Sequence, residues 1–349
     1  MAWTAEQLSY AGYLAMNHEM RQNPEDLYNT ERPLLKALQA NKKPFPGAKQ
    51  YIIEKLRTTN DQNFQWYAGS DAVTFNRRRT ITQAQFAWGS AHDGFGLDED
   101  ELTQNYIVLT DDTKSSPPTT DEQKQFVDLI EENTRALKEG FAEKFDYELH
   151  RDGTQDTNAV AGLDLLIATN PTTGTMGGLN RANVPLWRNY FSLSIASTTG
   201  LLSTEMEKAW REVARRGGKK PNLILAGAKF IDAYRAEVKA THDFTVAVAP
   251  GGATGLDAGK GKLYFKGVEI QHDPTLDQLE TDLNGTPDWD KRCYMLNTET
   301  IKLRPAKGHD MITRKPPRAY NRYVHYWGLT WKGAMTTNRP GANAVLSIA

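Results

Sequence analysis

Several glycines, lysines and histidines fall at spacings close to those that chemistry uses. Gly255, Gly259 and Lys260 approach a phosphate-binding loop. Such a loop needs four residues between its glycines and a hydroxyl after the lysine, so that backbone amides and the ammonium surround the phosphates. Here three residues intervene and Gly261 follows Lys260. A strand rather than a helix is expected next, so no helix N-terminus faces an anion. His150-Arg151-Asp152 has the wording of a kinase catalytic loop, which requires asparagine five residues after its aspartate. That position is Thr157, and Asn158 lies one step too far. His18-Glu19 lacks the second histidine of a zinc-binding helix, because Gln22 stands where it belongs. No Gly-x-Ser-x-Gly elbow is present. The seven histidines show no paired spacing that suits a dedicated metal site. The acidic run Asp98-Glu99-Asp100-Glu101 reads as a solvated loop or helix start. These residues yield no catalytic group, no cofactor-binding group and no metal ligand, and no cofactor is expected.

The elements around them are unusual in what they leave uncovered. The chain has 349 residues, of which 39% are hydrophobic, against about 45–50% in ordinary globular domains. Mean hydropathy is -0.62. Extended arms or polar loops that cannot offset their own ordering entropy would account for this, and so would a polar monomer with long loops. Net charge is -1, whereas a generic nucleic-acid binder is usually basic. The charge is uneven: from Met311 onward there is no Asp or Glu, but Arg314, Lys315, Arg318, Arg322, Lys332 and Arg339 are present. The single cysteine, Cys293, sits in an apolar run and is expected in the core. No apolar stretch approaches the roughly 20 residues that span a bilayer, and Met1–Glu6 has no basic start or apolar continuation. A soluble protein made in the cytoplasm is expected.

Residues 1–50 read as an arm with two short helices, the second from Pro33 to Leu38, broken by Pro44-Phe45-Pro46-Gly47. Residues 51–110 read as β-rich and exposed. Runs 64–68 and 71–75 flank Gly69-Ser70, which suits a type II′ hairpin turn. A further strand runs from Thr80 to Trp88. The clearest helix covers 119–151, with Phe126, Ile130, Leu137, Phe141, Phe145 and Leu149 at helical spacing. Thr119 with Glu122 and Thr120 with Gln123 match a capping box, and Gly153 is placed to stop the helix. Residues 155–310 read as an α/β unit. It holds a helix from an N-cap at Ser203 to Arg216, ended by Gly217-Gly218, a strand at 222–226, a helix at 229–241, a strand at 262–270 and another within 293–303, where Thr300-Ile301-Lys302-Leu303 alternates. Aromatic strands fill 318–349.

The order of these segments resembles the Hong-Kong-97-type fold of tailed-phage major capsid proteins. Local wording is similar too: Gln85-Phe86-Ala87-Trp88 before His92-Asp93-Gly94 and Glu99-Asp100-Glu101-Leu102, then Gly162–Ile167, Gly177-Gly178-Leu179-Asn180-Arg181 with Trp187-Arg188-Asn189, Lys220–Leu225, and Leu296-Asn297-Thr298 before Ile301 and Leu303. The resemblance covers roughly residues 51–349. It implies an α+β chain with an N-terminal arm (1–50), an extended β-hairpin loop (51–110) and a spine helix of the peripheral domain (111–154). An axial domain (155–310) and closing strands of the peripheral domain (311–349) would follow. It further implies a subunit that builds hexamers and pentamers of an icosahedral head around double-stranded DNA. The subunit would be no enzyme and would be located in the virion. Its partners would be itself, a separate scaffolding protein, a portal protein and a decoration protein, with non-specific contact to DNA and no membrane. Trp66, Tyr67 and Phe75 would pack on a neighbour, or else pair across their own hairpin. Arg77, Arg78 and Arg79 would meet acidic patches such as Glu131-Glu132 of an adjacent spine helix. Gly177, Gly178, Arg181 and Trp187 would shape the turn after the spine helix. Lys55 lies near the loop's base, not its tip, so no crosslink is expected, nor is a cleaved scaffolding segment.

Two other readings stay open on residues alone. An α/β enzyme without a recognisable motif predicts a deep pocket with converging titratable groups. A nucleic-acid-binding protein using the basic C-terminal strands predicts tight, salt-sensitive DNA binding.

Overall fold

A computed structural model describes residues 32–47, 50–60, 62–78, 80–100, 120–197, 200–240, 263–283, 288–316 and 324–349. Side chains of 120–128 and of 239–240 lie outside the description, as do the first helix of the arm, Arg79 and the Gly251–Gly261 loop. No described helix is long and apolar enough to cross a membrane.

The helical stripe produces one long helix. After α1 (Pro33–Ala40), helix α2 runs from Thr120 to His150, 31 residues, about 46 Å at 1.5 Å per residue. Ile130, Leu137, Phe141, Phe145 and Leu149 are buried along one side, while Glu131, Glu132, Arg135 and Glu139 face solvent. Beyond His150 the chain reverses at Gly153, whose φ is +90°; a Cβ there would lie 2.7 Å from the Val160 carbonyl oxygen.

The stripe packs on a four-stranded antiparallel sheet. β13 (Val324–Thr337) is its long central strand. It pairs with β3 (Gly89–Asp98) on one flank and with β11 (Ile301–Pro305) and β12 (Ile312–Arg314) on the other. Trp327, Leu329 and Trp331 point inward at every second position. Phe145 sits 4.7 Å from Trp331 and 5.5 Å from Phe141, ring centre to ring centre.

The second sheet has six strands in the order β6-β14-β10-β7-β9-β8. These are β6 (Tyr190–Ile195), β14 (Ala344–Ile348), β10 (Arg292–Leu296), β7 (Leu223–Ala226), β9 (Val268–His272) and β8 (Tyr264–Phe265). Its central strands are buried on both faces and so read as continuous apolar runs. Leu223, Leu225, Tyr294, Leu296 and Val345 point into the main core, which also takes Leu276 and Leu279 of helix α6 (Pro274–Asp282) and the short α3 (Leu163–Leu166). Their neighbours Ile224, Ala226, Cys293, Met295, Ala344 and Leu346 point the other way. There they meet Met206, Trp210 and Val213 of α4 (Leu201–Gly217) and Phe230 and Tyr234 of α5 (Ala228–Ala240).

Several expectations need correction. Residues 32–47 are docked on the body: Leu34, Leu35 and Leu38 are in the main core. The Phe45 amide donates to the Pro305 carbonyl and the Lys307 amide to Phe45. The run 293–303 is two strands in different sheets, separated by the turn at Thr298–Thr300. β14 likewise belongs to the six-stranded sheet and not with the other C-terminal strands, while β3 belongs to the four-stranded one and not to an extended hairpin. The expected strand 262–270 is a tight hairpin, with φ of +48° at Lys266 and +85° at Gly267, as a type I′ turn requires. Ser203 is inside α4; its start, after Gly200, is held by Glu237, whose carboxylate accepts from the Leu202 and Ser203 amides.

The ribbon is a seven-pair ladder of β1 (Tyr51–Arg57) with β2 (Ile81–Ala87), capped by a long loop. The Gly69-Ser70 turn forms, with the Asp71 amide donating to the Ala68 carbonyl at 2.7 Å. Gly69 lacks the positive φ of a type II′ turn, and runs 64–68 and 71–75 are not strands. Side-chain amides join the limbs instead: Asn63 donates to the Asn76 carbonyl and Gln65 to that of Ala72. Two strands alone are too weak to hold a ladder, and this one has one face covered: Leu56, Ala84 and Phe86 are buried in the main core. At the base the ribbon is fixed. Arg304 meets Glu54 at 2.5 Å, Ile52 packs with Phe45, Ala306 and Ala334, and the Gln85 amide donates to the Gly177 carbonyl at 2.8 Å.

Gly177 is the tight point of that base. Its φ is +59°, and a Cβ would stand 3.1 Å from the Ala84 Cβ and 3.3 Å from the Phe86 ring. Replacing Gly177 by valine is expected to cost about 2–4 kcal/mol, from backbone strain and displacement of β2. Thermal unfolding of the isolated subunit measures it, with Gly178→Ala as comparison: Gly178 has φ +75° but open space around its Cβ position, so alanine there carries backbone strain without the displacement.

Candidate assembly surface

The ribbon carries large apolar side chains that its own chain leaves in water. Trp66 is 91% exposed and Phe75 89%, with Phe64, Tyr67 and Ile81 close behind. Trp66 meets Phe64 edge-on at 5.4 Å, a contact along one limb, not across the hairpin to Phe75. Exposed aromatics at this density are costly in water and mark contact surfaces. Arg77 and Arg78 follow them and are exposed; Arg79 lies outside the described residues. Glu131 and Glu132 are exposed on α2. Among the described residues, no ion pair within the chain joins these arginines to these glutamates.

The glycine-arginine-tryptophan run serves local folding. Gly177 and Gly178 both have positive φ, making the two-residue turn between β4 (Thr175–Met176) and β5 (Leu179–Asn180). The buried Arg181 donates to the Leu165 carbonyl at the end of α3 and contacts the Met176 sulfur. Trp187 Nε1 donates to the Met176 carbonyl at 3.0 Å. Of the C-terminal basic residues, Arg339 donates to the Gly217 carbonyl at the end of α4 and Arg314 to the Thr330 hydroxyl. Arg318 and Arg322 are outside the description. Two open concavities lie in the ribbon, lined by residues such as Asn63, Tyr67 and Phe75 in one and Arg57 and Phe64 in the other. Neither brings titratable groups together inside a deep pocket.

One titratable cluster escaped the sequence reading. Asp146 and His150 stand four apart on α2, and Asp273 caps the start of α6; all three are fully buried. His150 Nδ1 is 2.8 Å from the Asp146 carbonyl oxygen and Nε2 is 2.9 Å from Asp273 Oδ2. Asp146 Oδ2 accepts from the Thr275 hydroxyl at 2.6 Å, and Oδ1 from the Leu35 amide at 3.2 Å. Burial opposes charge on the imidazole, but the Asp273 and Asp146 carboxylates outweigh it and hold its pKa at about 9. Burial raises the Asp146 carboxyl. Although the three side chains are of metal-ligating type, a carbonyl can only accept, so Nδ1 must carry a proton. Of the two ring nitrogens only Nε2 could bind a metal, and it is engaged by Asp273. The arrangement is a hydrogen-bonded ion cluster. The signal for it was an aspartate four residues before a histidine within an apolar stripe, and Asp273-Pro274, a cap followed by proline at N1.

No family model matches the chain, and no curated protein matches it. Solved structures do. The capsid asymmetric unit of cyanophage A-1(L) aligns over 91% of this chain and 92% of that one, at TM-score 0.62 and 14% identity. The capsid of an empty GTA particle aligns over 89% and 96%, at 0.56 and 10%. The capsid of the Myoviridae phage XM1 aligns over 91% and 92%, at 0.51 and 11%. Over about nine-tenths of its length this chain is thus similar to phage and GTA capsid chains: it has the Hong-Kong-97-type capsid fold.

Proposed function

We propose that this chain is the major capsid protein of a tailed phage, a structural subunit that tiles an icosahedral head as hexamers and pentamers around double-stranded DNA. The observation that carries the reading is the near-complete match of the chain to capsid proteins, and the exposed aromatic loop of the ribbon agrees with it. The ribbon at 51–88 acts as the extended loop over a neighbouring subunit and α2 as the spine of the peripheral domain. The six-stranded unit forms the axial domain around the five-fold and six-fold axes. Heterologous contacts that close a ring suit such tiling. A separate scaffolding protein, a portal protein and a decoration protein are the further partners proposed, with non-specific contact to packaged DNA.

In this reading Trp66, Tyr67 and Phe75 pack on the neighbour, and Arg77, Arg78 and Arg79 face Glu131 and Glu132 of its spine helix. Like charges brought together at such a contact oppose association. Arg77→Glu with Arg78→Glu should therefore abolish fast-sedimenting assemblies of the subunit expressed with its scaffold. Adding Glu131→Arg and Glu132→Arg to the same chain should restore them. Sedimentation through a density gradient reads both. Wild-type protein that stays at monomer position under all conditions would defeat the reading, and assembly indifferent to the reversal would defeat the contact.

A further inference from the structure

α1 reaches the body through the buried ion cluster. The Leu35 amide, in the first turn of α1, donates to the Asp146 carboxylate, which accepts from the Thr275 hydroxyl and lies 3.6 Å from His150 Nδ1 as an ion pair. We propose that His150, as an imidazolium between Asp146 and Asp273, is a proton-held clasp that fixes α1 to the ends of α2 and α6, so that losing this proton frees α1 before the rest of the subunit unfolds. The inference concerns the subunit itself and stands whether or not it forms shells.

Both imidazole nitrogens face acceptors, a carbonyl at Nδ1 and a carboxylate at Nε2. Only the doubly protonated ring can donate to both. Without the proton, the Nε2 lone pair opposes Asp273, and two buried carboxylates lose the cation between them. The other groups facing the cluster cannot replace it. From α6 come the Thr275 hydroxyl and amide, which are neutral donors. From the start of α1 comes Arg32, whose charge reaches Asp146 but which is also paired with the exposed Glu143 at 3.4 Å. From β10 comes Tyr294, whose hydroxyl accepts from Arg292. α1 has eight residues, too few to persist as a helix once undocked.

The sign follows from the raised pKa. The stabilisation is complete below the unfolded histidine value, about 6.5. It is lost as pH rises through about 9.

Pulsed hydrogen exchange on the unassembled full-length subunit, normalised to intrinsic rates, tests this between about pH 7 and pH 10. Protection of amides 34–40 is expected to fall at least about tenfold across the step, with amides 292–296 of β10 still protected. In His150→Gln, amides 34–40 should be poorly protected throughout and show no step. Asp273→Asn should move the step to lower pH, which keeps the test open if the glutamine variant does not fold. A wild-type profile without a step, or loss of protection in α1 and β10 together, overturns the clasp.

Discussion

The subunit carrying Trp66→Ala and Phe75→Ala is expected to fold as stably as wild type and to build no shells. Both side chains are about nine-tenths in water, and exposed substitutions of this kind move stability by about 0.5 kcal/mol or less. Buried at an interface, an aromatic anchor is worth about 2 kcal/mol or more on truncation. Two per subunit would raise the concentration needed for assembly by roughly a thousandfold. Melting temperature and particle yield, measured on the same preparations, separate the two effects. A variant that melts early instead would place these rings inside their own subunit, against the exposed ribbon described above. Phe64 is the internal control: it touches Trp66 edge-on, so Phe64→Ala should weaken assembly less than the double change.

The largest effect on the subunit itself is expected at Phe145. Its ring lies between Phe141 of the same helix and Trp331 of β13, so it joins α2 to the four-stranded sheet. Truncation to alanine removes that ring and leaves a cavity that the rigid sheet cannot close. The expected loss is about 3–5 kcal/mol, with Phe145→Leu costing about a third of that. Denaturant unfolding of the unassembled subunit reads the difference from the shift in midpoint at constant slope. A loss near zero would mean that helix and sheet are not packed through this residue. The same truncation should also lower shell yield, because a helix of this length needs the sheet beneath it to stay in place.

The parts of the fold that could be read from residues alone were those whose pattern is local. The α2 stripe was legible because five aromatic or aliphatic side chains recur at helical spacing and all proved buried. The C-terminal stop of α4 was legible in Gly217-Gly218, because a helix end favours a left-handed residue that glycine adopts at little cost, and Gly218 has φ +69°. The errors concern pairing between distant segments. That Ala344–Ile348 is a strand was evident; that it enters between β6 and β10 depends on partners about 50 and 150 residues away, which no local pattern specifies. That the run 293–303 holds two strands, one in each sheet, depends on distant partners in the same way. The break lies at Asn297, whose amide donates to the Asn343 side chain at 2.7 Å. The helix at Pro33–Leu38 was legible, but its docking was not: Leu34, Leu35 and Leu38 form a stripe too short to tell an arm from a core element, and all three are buried.

The ribbon's exposure was legible in its composition, since 58–80 has aromatics and amides but few aliphatics of its own. What those aromatics touch left no trace within one chain, because the contact proposed for them lies between copies. The ion cluster was hidden for another reason. His150 was weighed only beside Arg151 and Asp152, its neighbours in sequence, whereas its partners are one helical turn back and on another helix altogether. Buried charge of this kind is set by three-dimensional packing, and its presence in an apolar stripe is the only local sign.

Electron cryomicroscopy of the subunit expressed with its scaffold tests the central claim most directly. The account predicts closed icosahedral shells in which the 51–88 ribbon of each subunit lies across its neighbour, with Trp66 and Phe75 out of water. Monodisperse single subunits at high concentration, or shells in which the ribbon contacts nothing, would contradict it.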